Sequence, residues 1–551
     1  MPCYTLAKML LHVVNLKPEL MDKKWWQTGI IYQVYPRSFQ DSNGDGVGDL
    51  KGILERLDYL QWLGIDALWL SPVYPSPMAD FGYDISDYTG IHPLFGNMAD
   101  FDILLEEVHN RGMKLLLDLV PNHTSDQHPW FLESRSGRDN PKRDWYIWHD
   151  PLPDGGAPNN WLSMFGGNAW EWDHTTQQYY YHAFLKEQPD LNWRNPEVQQ
   201  AMFDVMRYWL KKGVDGFRVD VMWHMIKDAQ FRNNPPDPNY EPHMSTYSQL
   251  LPVYSTDQPE VHELVHKMRA VMEEIDDERV MIGEIYLPIH QLVSYYGVDN
   301  NGAHLPFNFQ LLTLPWQALQ ISTAIDQYEG ALPVNGWPNW VLSNHDQHRI
   351  ASRVGVQQAR VAAMMLLTLR GTPTIYYGDE IAMRNVAIPF DEVVDPQGLN
   401  MPDKNLSRDP SRTPMQWDNS KNAGFTDGKP WLRLSKIFHR ANVEMQQQDP
   451  YSMLTLYKRL ITLRKNEPAL NAGRYEPVFA DNQMVAYKRV AENADSFLIV
   501  LNLTHWPCYF RPPNFSFSGK VEIATIPESE GMHLTDTISL DGDEALIIRL
   551  N

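Results

Sequence analysis

Short continuous apolar runs alternate along the chain with stretches whose apolar residues recur every three or four positions. The runs at 30–36, 67–70 and 114–120 lack the alternation of half-exposed strands, so each predicts a strand buried on both faces. The stretches between them, 50–64 and 98–112, have helical spacing and end in Gly, a frequent helix C-cap. A repeat of strand, helix and strand predicts a parallel sheet.

The repeat resumes after an interruption. A helical pattern precedes a strand at 216–221, and further strands are predicted at 280–286, 306–312, 341–346 and 372–380. Eight parallel strands with helices between them favour an α/β fold, a (β/α)₈ TIM barrel. The alternative is a doubly wound sheet, but the G-x-G-x-x-G sequence typical of dinucleotide binding does not follow the first strand.

Two segments depart from the repeat and predict additional domains. Residues 123–189 are rich in Trp, Asn, Pro, Gly and His, which indicates an inserted irregular subdomain after the third strand. Short apolar runs separated by turns over 469–551 predict a C-terminal antiparallel β domain. The barrel then comprises 23–122 and 190–468. Residues 1–22 are interpreted as an N-terminal extension, expected to be disordered or to reflect a mis-assigned start.

Charge and cysteine content narrow the class of protein. The formal net charge of −22 argues against nucleic acid or an anionic membrane as partner, since both attract basic surfaces. The sequence contains no run of 18 apolar residues, so a transmembrane helix is not expected. The two cysteines, Cys3 and Cys508, fit a reducing compartment. We therefore expect a cytoplasmic monomer or small homo-oligomer, and its 19 Trp and 26 Tyr would suit a sugar substrate.

Polar residues cluster at the predicted strand ends, where TIM barrels place catalysis. They are Asp118, Asn122, His123, Arg218, Asp220, Glu284, His345 and Asp346. Arg218 and Asp220 are two positions apart in a strand, so their side chains are expected on one face. Each residue alone is more often a helix cap or an ordinary ion pair. Burying so many together is costly, which favours a catalytic site.

Two carboxylates with different protonation states are what retaining glycoside hydrolysis requires. Asp220 beside Arg218 is predicted to be the ionised nucleophile, since a neighbouring cation lowers the pKa of a carboxyl. Glu284 lies in the apolar sequence VMIGEIY and is predicted to be the protonated acid. The sequence lacks a G-x-S-x-G elbow, a P-loop and an H-E-x-x-H motif, which disfavours a serine hydrolase, an NTPase or a zinc protease.

From about residue 23 the chain resembles the α-amylase family, glycoside hydrolase family 13. The matching motifs are DLVPNHTS (118–125), GFRVDV (216–221), IGEIY (282–286), SNHD (343–346), GIDALWLSPVY (64–74) and GTPTIYYGDE (371–380). The resemblance implies that Asp220 is the nucleophile, Glu284 the acid/base and Asp346 the stabiliser of the transition state. It also implies that Arg218, His123 and His345 line the same subsite.

Three further motifs resemble the α-glucosidase and oligo-1,6-glucosidase branch of that family. They are QPDLNW (188–193), DFGYDISDY (80–88) and RTPMQW (412–417). By this resemblance Asp80 and Arg412 would hold the non-reducing glucose by its far hydroxyls, and Tyr83 would stack on the sugar ring. Such a dead-end pocket implies an exo-acting enzyme that removes one glucose at a time.

The stretch QDSNGDGVGDLKG (40–52) begins like an EF-hand loop but has Gly52 where the bidentate Glu belongs. The α-glucosidase branch carries a similar loop after the first barrel strand. The resemblance implies one structural Ca²⁺ or Mg²⁺, because hard cations prefer oxygen ligands. Its ligands would be Asp41, Asn43, Asp45, the Val47 carbonyl and Asp49. An acidic turn without a metal is the alternative.

Linkage specificity stays open at this point. Val221, directly after the predicted nucleophile, resembles the α-1,6-cleaving members, whereas the sequence 216–240 resembles bacterial α-glucosidases that favour short α-1,4 substrates. We expect maltose-type α-1,4 substrates with some transglucosylation. The alternatives are an oligo-1,6-glucosidase, a sucrose isomerase or trehalose synthase type of glucosyl transfer, and a non-enzymatic heavy chain of a transporter. The last is disfavoured because Asp220 and Glu284 are both present.

Overall fold

The computed structural model describes residues 23–512 and 515–551. The predicted N-terminal extension, 1–22, lies outside these ranges. The barrel begins with β1 (Ile31–Val34), β2 (Ala67–Leu70) and β3 (Lys114–Leu119). The insertion contributes β4 (Trp148–His149), β5 (Trp170–Asp173) and β6 (Gln178–Tyr181). The barrel resumes with β7 (Gly216–Val219), β8 (Val280–Gly283), β9 (Leu305–Pro306), β10 (Asn339–Val341) and β11 (Thr372–Tyr376).

The parallel strands lie in the order β10-β11-β1-β2-β3-β7-β8-β9. A parallel bridge between Asn308 and Trp340 brings the two edges together, so the eight strands form a barrel and the prediction of a TIM barrel is confirmed. The insertion after β3 is less irregular than predicted. It contains a helix and an antiparallel sheet in the order β4-β6-β5, whose aromatic side chains pack on one another.

The predicted C-terminal antiparallel β domain is also confirmed. Its strands are β12 (Arg474–Ala480), β13 (Met484–Val490), β14 (Phe497–Asn502), β15 (Cys508–Phe510), β16 (Ser518–Ala524), β17 (His533–Thr535), β18 (Ile538–Leu540) and β19 (Ala545–Leu550). Six of them form one sheet in the order β12-β13-β14-β19-β16-β17, and β15 pairs with β18.

Most of the helices surround the barrel and connect its strands, whereas Pro129–Arg135 lies in the insertion. The helices span Trp25–Thr28, Pro36–Phe39, Leu50–Glu55, Leu57–Leu63, Met98–Asn110, Pro129–Arg135, Pro196–Lys212, Val261–Glu273, Ile289–Leu292, Gln310–Thr313, Ala318–Ala331, Ile350–Thr368, Pro396–Asn400, Val443–Gln448, Met453–Asn466 and Pro468–Asn471. Gly64 and Gly213 cap two of them with φ of 100° and 110°, in the left-handed region that glycine adopts at low cost. Within the two described ranges, none of these helices combines the length and apolar character needed to span a bilayer.

The bounds of several predicted elements differ from the structure, among them those of the predicted helix 50–64 and the predicted strand 306–312. The predicted helix 50–64 is divided at Arg56, whose backbone is not helical. Of the predicted strand 306–312 only Pro306 is in a strand, as the second residue of β9, because the chain then turns into a short helix. The Asn308 side chain accepts the N–H of Gln310 at 3.0 Å, and such a local bond competes with sheet pairing.

Alternation along the strands separates the barrel interior into two layers. Ile31, Leu116 and Val280 belong to the apolar cluster at its centre. Two positions further along β1 and β3, Gln33 and Asp118 occupy the next layer, since residues i and i+2 face the same side of a strand. The fold therefore places polar residues at the carboxyl ends of the strands.

Candidate active site

The loops that leave the carboxyl ends of the barrel carry most of the predicted catalytic residues. β7 ends at Val219 and β8 at Gly283, so Asp220 and Glu284 each come one residue after a strand. β10 ends at Val341, several residues before the predicted strand end. His345 and Asp346 therefore lie in the following loop, with His345 buried.

Arg218 is the centre of the site. Its guanidinium is buried, and its Nη1 lies 2.8 Å from Oδ1 of Asp118 and 2.7 Å from Oδ1 of Asp220. Its Nη2 lies 2.6 Å from Oε2 of Glu284. One cation thus holds three carboxylates, and the two predicted catalytic carboxylates are close together. Two neighbouring carboxyls are what retaining glycoside hydrolysis requires, one as nucleophile and one as acid/base.

Burial controls the protonation of this group. It raises the pKa of Glu284 above its usual value, although Arg218 opposes the shift, as predicted from the apolar sequence around it. Burial also raises the pKa of Asp220, against the attraction of Arg218 and with repulsion from Glu284 and Asp118. Arg218 lowers the pKa of Asp220, as predicted, but desolvation outweighs this one shared cation and the net shift is upward. The same burial raises the pKa of Asp118 to about 6.

Asp346 has the opposite electrostatic environment. Its Oδ1 lies 3.0 Å from Nη2 of Arg412 and 3.3 Å from Nη1 of Arg408, and its Oδ2 lies 3.3 Å from Nε2 of His345. Burial alone would raise its pKa, but the guanidiniums of Arg408 and Arg412 hold the pKa below its usual value. Asp346 is therefore ionised at neutral pH and can stabilise positive charge that develops on a substrate.

A second buried ion cluster forms around Arg408. Its Nη2 lies 2.7 Å from Oδ1 of Asp80 and 2.6 Å from Oδ1 of Asp395. The other oxygen of Asp80 accepts the Gln188 side-chain amide at 3.2 Å. The same amide lies 3.1 Å from Nε2 of His123. Burial lowers the pKa of His123 to about 3, so this imidazole is neutral and able to hydrogen-bond a sugar hydroxyl.

Tyr83 contacts both His345 and the cluster around Arg218. Its ring stacks on the His345 imidazole with centroids 5.4 Å apart and an angle of 5° between the planes. Its hydroxyl donates to Oδ2 of Asp118 at 2.9 Å and lies 2.7 Å from Nε2 of His345. Nδ1 of His345 lies 2.8 Å from the Gln33 amide. The imidazole is thus fixed at both nitrogens, and burial holds its pKa well below the usual value.

A cavity of about 270 Å³ opens between the two clusters, near the lower end of the range for ligand pockets. It is lined by Asp80, Tyr83, His123, Met164, Phe165, Phe184, Gln188, Asp220, Val221, Trp223, Glu284, Tyr286, His345, Asp346, Gln347, Gln397 and Arg408. Carboxylates and neutral donors in a small cavity suit a polyhydroxylated ligand, which apolar and aromatic side chains would contact on its ring faces.

The sequence that forms this barrel and its cavity matches a known protein family. Residues 33–473 match the family described as alpha amylase, catalytic domain. The chain belongs to the alpha-amylase family. The predictions of this family and of a glycoside hydrolase are confirmed.

The members of the alpha-amylase family to which the chain is similar include glucosidases. The chain is 41% identical to a probable alpha-glucosidase of Rhizobium meliloti, over 87% of this chain and 89% of the relative. It is 40% identical to an oligo-1,6-glucosidase of Parageobacillus thermoglucosidasius, over 90% and 93% of the two chains. Among solved structures, an alpha-glucosyl transfer enzyme, XgtA, superposes with a TM-score of 0.90 at 39% identity, covering 96% of this chain and 100% of the other. The trehalulose synthase MutB of Pseudomonas mesoacidophila MX-45 superposes with a TM-score of 0.89 at 35% identity, with the same coverage.

Most of the predicted catalytic and substrate-binding residues of this alpha-amylase family member line the cavity, but two of them do not. Asp80, Tyr83, His123, Asp220, Glu284, His345 and Asp346 all line the cavity. Arg218 and Arg412 lie behind its wall and contact lining carboxylates. Arg412 was predicted to act with Asp80, but Asp80 is paired with Arg408 instead. Arg408 belongs to the sequence SRDP (407–410), which Ser411 separates from the RTPMQW motif.

The predicted metal loop is closed by its own hydrogen bonds. Asp41 accepts the N–H groups of Asn43, Gly44 and Gly46, and the Asp49 side chain caps the next helix. Asn43 and Asp45 each accept an N–H two residues further on. The donor set consists of oxygen atoms, which suits a hard cation. However, no group of three or more His, Cys, Asp or Glu residues placed to hold a metal ion occurs within 23–512 and 515–551.

Proposed function

We propose that the protein is an exo-acting retaining α-glucosidase that releases glucose from the non-reducing end of short α-glucosides, preferably of the maltose type. The observation that carries this proposal is the cavity in which Asp220 and Glu284 share the Arg218 guanidinium, while Asp80 and Arg408 form a second buried ion pair in the wall. The first pair provides the chemistry, and the second provides hydrogen-bonding groups for the far hydroxyls of a terminal glucose.

The reaction would proceed by double displacement. Asp220 Oδ attacks the anomeric carbon while Glu284 protonates the leaving oxygen, and the glycosidic bond breaks as the glucosyl-enzyme bond forms. Glu284, now ionised, then takes a proton from water, whose oxygen displaces Asp220. Asp346 remains ionised throughout because Arg408 and Arg412 lower its pKa. Its charge would stabilise the oxocarbenium-like transition state.

The acceptor decides between hydrolysis and transfer. A sugar hydroxyl in place of water would give transglucosylation, or a rearranged disaccharide when the first leaving group is recaptured. The similarity to MutB, a trehalulose synthase, and the presence of Val221 keep two alternatives open, sucrose isomerisation and oligo-1,6-glucosidase activity. All three activities would use the same covalent intermediate, so they differ only in the bond cleaved and the acceptor.

Product analysis over time tests the proposal. The protein is supplied separately with maltose, isomaltose and sucrose, and Asp220→Asn is the matched inactive control. Glucose released chiefly from maltose supports the proposal. Glucose released chiefly from isomaltose makes the protein an oligo-1,6-glucosidase, and a rearranged disaccharide makes it an isomerase. Turnover of none of the three sugars would refute the proposed function.

Three further properties are part of the proposal. The loop 41–49 would bind one structural Ca²⁺ or Mg²⁺, supported by its oxygen-rich composition. The protein would be cytoplasmic, because the buried free thiol of Cys508 suits a reducing compartment. It would be a monomer or small homo-oligomer. Thermal scans with chelator, cell fractionation and size-exclusion chromatography test these points in turn.

A further inference from the structure

Val221 adopts a backbone conformation that its residue type disfavours. It follows Asp220 directly and has φ 36° and ψ 47°, in the left-handed region. A β-branched side chain makes this region a genuine outlier, since Cβ crowds the carbonyl oxygen. Val221 is also buried in the cavity wall. Unusual backbone conformations of this kind persist where the surrounding structure imposes them, and they concentrate at functional sites.

The left-handed turn directs one backbone N–H at the predicted acid/base. The Val221 nitrogen lies 2.9 Å from Oε2 of Glu284. Two other backbone bonds hold the turn in place. The Met222 N–H donates to the main-chain oxygen of Glu284 at 3.2 Å, and the His224 N–H donates to the Val221 oxygen at 2.8 Å.

The two oxygens of Glu284 are therefore not equivalent. Oε2 accepts the Val221 N–H and also lies 2.6 Å from Nη2 of Arg218. An oxygen that accepts two such donors is the poorer place for a proton. The proton of a neutral Glu284 is thus directed to Oε1. A backbone amide does not titrate, so it holds Oε2 in the same way before and after each proton transfer.

We propose that Val221 is a positioning residue whose left-handed turn aims its N–H at Oε2 of Glu284, so that Oε1 carries the proton to the leaving group. This inference rests on the proposed function, because it assumes that Glu284 is the acid/base. It concerns the main chain of Val221 and is separate from any effect of the Val221 side chain on linkage preference.

Besides the Val221 amide, several ionisable side chains interact electrostatically with the Glu284 carboxyl, and they come from different elements of the barrel. They are Asp118 on β3, Arg218 on β7, and Asp220, Tyr286 and Asp346 in the loops after β7, β8 and β10. The Val221 N–H stabilises the ionised form of Glu284 and lowers its pKa, against the larger effect of burial. Removing the N–H should therefore raise the pKa of Glu284 and move the alkaline limb of kcat/KM to higher pH, since the acid must be protonated to react.

The test replaces a single N–H by oxygen. Cell-free translation of the full chain with a suppressor tRNA carrying the α-hydroxy acid of valine converts the Val221 amide into an ester. The matched control is the corresponding ester at Met222, whose N–H donates to the main-chain oxygen of Glu284 instead of its carboxylate. Thermal unfolding verifies that both proteins fold. Rates are measured with maltose and with 4-nitrophenyl α-glucoside, whose good leaving group needs little acid assistance.

For the Val221 ester we expect kcat/KM for maltose to fall by about 10- to 100-fold, the worth of one hydrogen bond to a charged group. We expect a fall of less than about threefold for the nitrophenyl substrate, together with the shift of the alkaline limb. The Met222 ester should show the wild-type ratio of the two substrates. Equal losses on both substrates, or an unshifted alkaline limb, would overturn the inference.

A second variant tests the inference independently of whether the ester protein folds. Val221→Gly keeps the N–H, and glycine adopts the left-handed region without strain. Its substrate ratio should stay within about threefold of wild type, even if KM changes for both substrates. A ratio shifted as far as predicted for the ester would assign the effect to the side chain and refute the role of the N–H. Failure of the wild-type protein to hydrolyse either substrate would instead refute the proposed function.

Discussion

Arg408→Lys is the substitution that separates the two arginines near the cavity. Arg408 lies 2.7 Å from Asp80, 3.3 Å from Asp346 and 2.6 Å from Asp395, so one planar guanidinium serves three carboxylates. A lysine keeps the positive charge but is a single point with three donors on a flexible stem. It cannot reproduce the fork that reaches Asp80 and Asp395 together.

The magnitude follows from the hydrogen bonds that a lysine cannot make. A hydrogen bond to a charged group contributes about 1.5–3 kcal/mol, and removing a guanidinium leaves buried carboxylates partly unpaired. With the lysine charge retained, we expect a net loss of about 2–4 kcal/mol of transition-state binding, or a roughly 30- to 1,000-fold fall in kcat/KM. Most of this should appear as a higher KM if Asp80 and Arg408 hold the same hydroxyls in substrate and transition state.

The assay compares initial rates of Arg408→Lys and Arg412→Lys on the preferred disaccharide, with thermal unfolding as the control for folding. Arg412 is also buried but contacts Asp346 at 3.0 Å and the His345 carbonyl at 2.7 Å, while Asp80 stays paired with Arg408. We expect a fall of about tenfold for this variant. A larger loss for Arg412→Lys than for Arg408→Lys would refute the assignment and favour Arg412 as the arginine that holds the far hydroxyls with Asp80.

Three other changes test the site and the fold. Asp220→Asn should reduce turnover by about 10⁴-fold or more without unfolding the protein, since Arg218 keeps Asp118 and Glu284 as partners; retained activity would exclude Asp220 as nucleophile. Addition of EDTA should lower the melting temperature more than the activity at room temperature, and an unchanged melting temperature would contradict a metal in the loop 41–49. Burial lowers the pKa of His128 from 6.5 to about 4 in the folded protein. Between these pH values the unfolded chain is protonated at His128 and the folded protein is not. Wild type should therefore lose about 3 kcal/mol of folding stability as the pH falls from 6.5 to about 4. His128→Asn preserves the helix cap and should lose less on acidification; an identical change in melting temperature for both proteins would disprove the shift.

The barrel and much of the site could be predicted because they follow from local sequence. Buried parallel strands produce continuous apolar runs, and the residues directly after each run reach the carboxyl edge of the barrel. Asp220 and Glu284 were found in this way. The exact ends of the strands could not be predicted in this way. Asp220 and Glu284 lie one residue beyond β7 and β8, at positions that the apolar pattern alone assigns to the strands.

Arg408 could not be found by the same reasoning. It lies in a loop, 328 positions from Asp80 and 62 from Asp346 in the sequence, and follows no apolar run. Only the folded chain brings it to these carboxylates. The paths of long loops depend on contacts made throughout the molecule, so a motif such as RTPMQW locates the segment without showing which of its two arginines reaches the cavity.

The pKa of Asp220 illustrates the same limit in electrostatics. A sequence shows that Arg218 is near Asp220, but not that Asp118 and Glu284 share the same guanidinium or that all four are buried. Three ionised carboxylates around one cation would leave a net charge of −2 in a desolvated site. A proton kept on one of the carboxyls reduces this buried charge. Burial therefore favours the protonated form of each carboxyl and raises the pKa of both Asp220 and Glu284. A retaining glycosidase needs such a pair, one carboxyl ionised and one protonated. Within Glu284, hydrogen bonds then decide which oxygen carries the proton, because Oε2 is occupied by the Val221 amide and Arg218 while Oε1 is left for the proton.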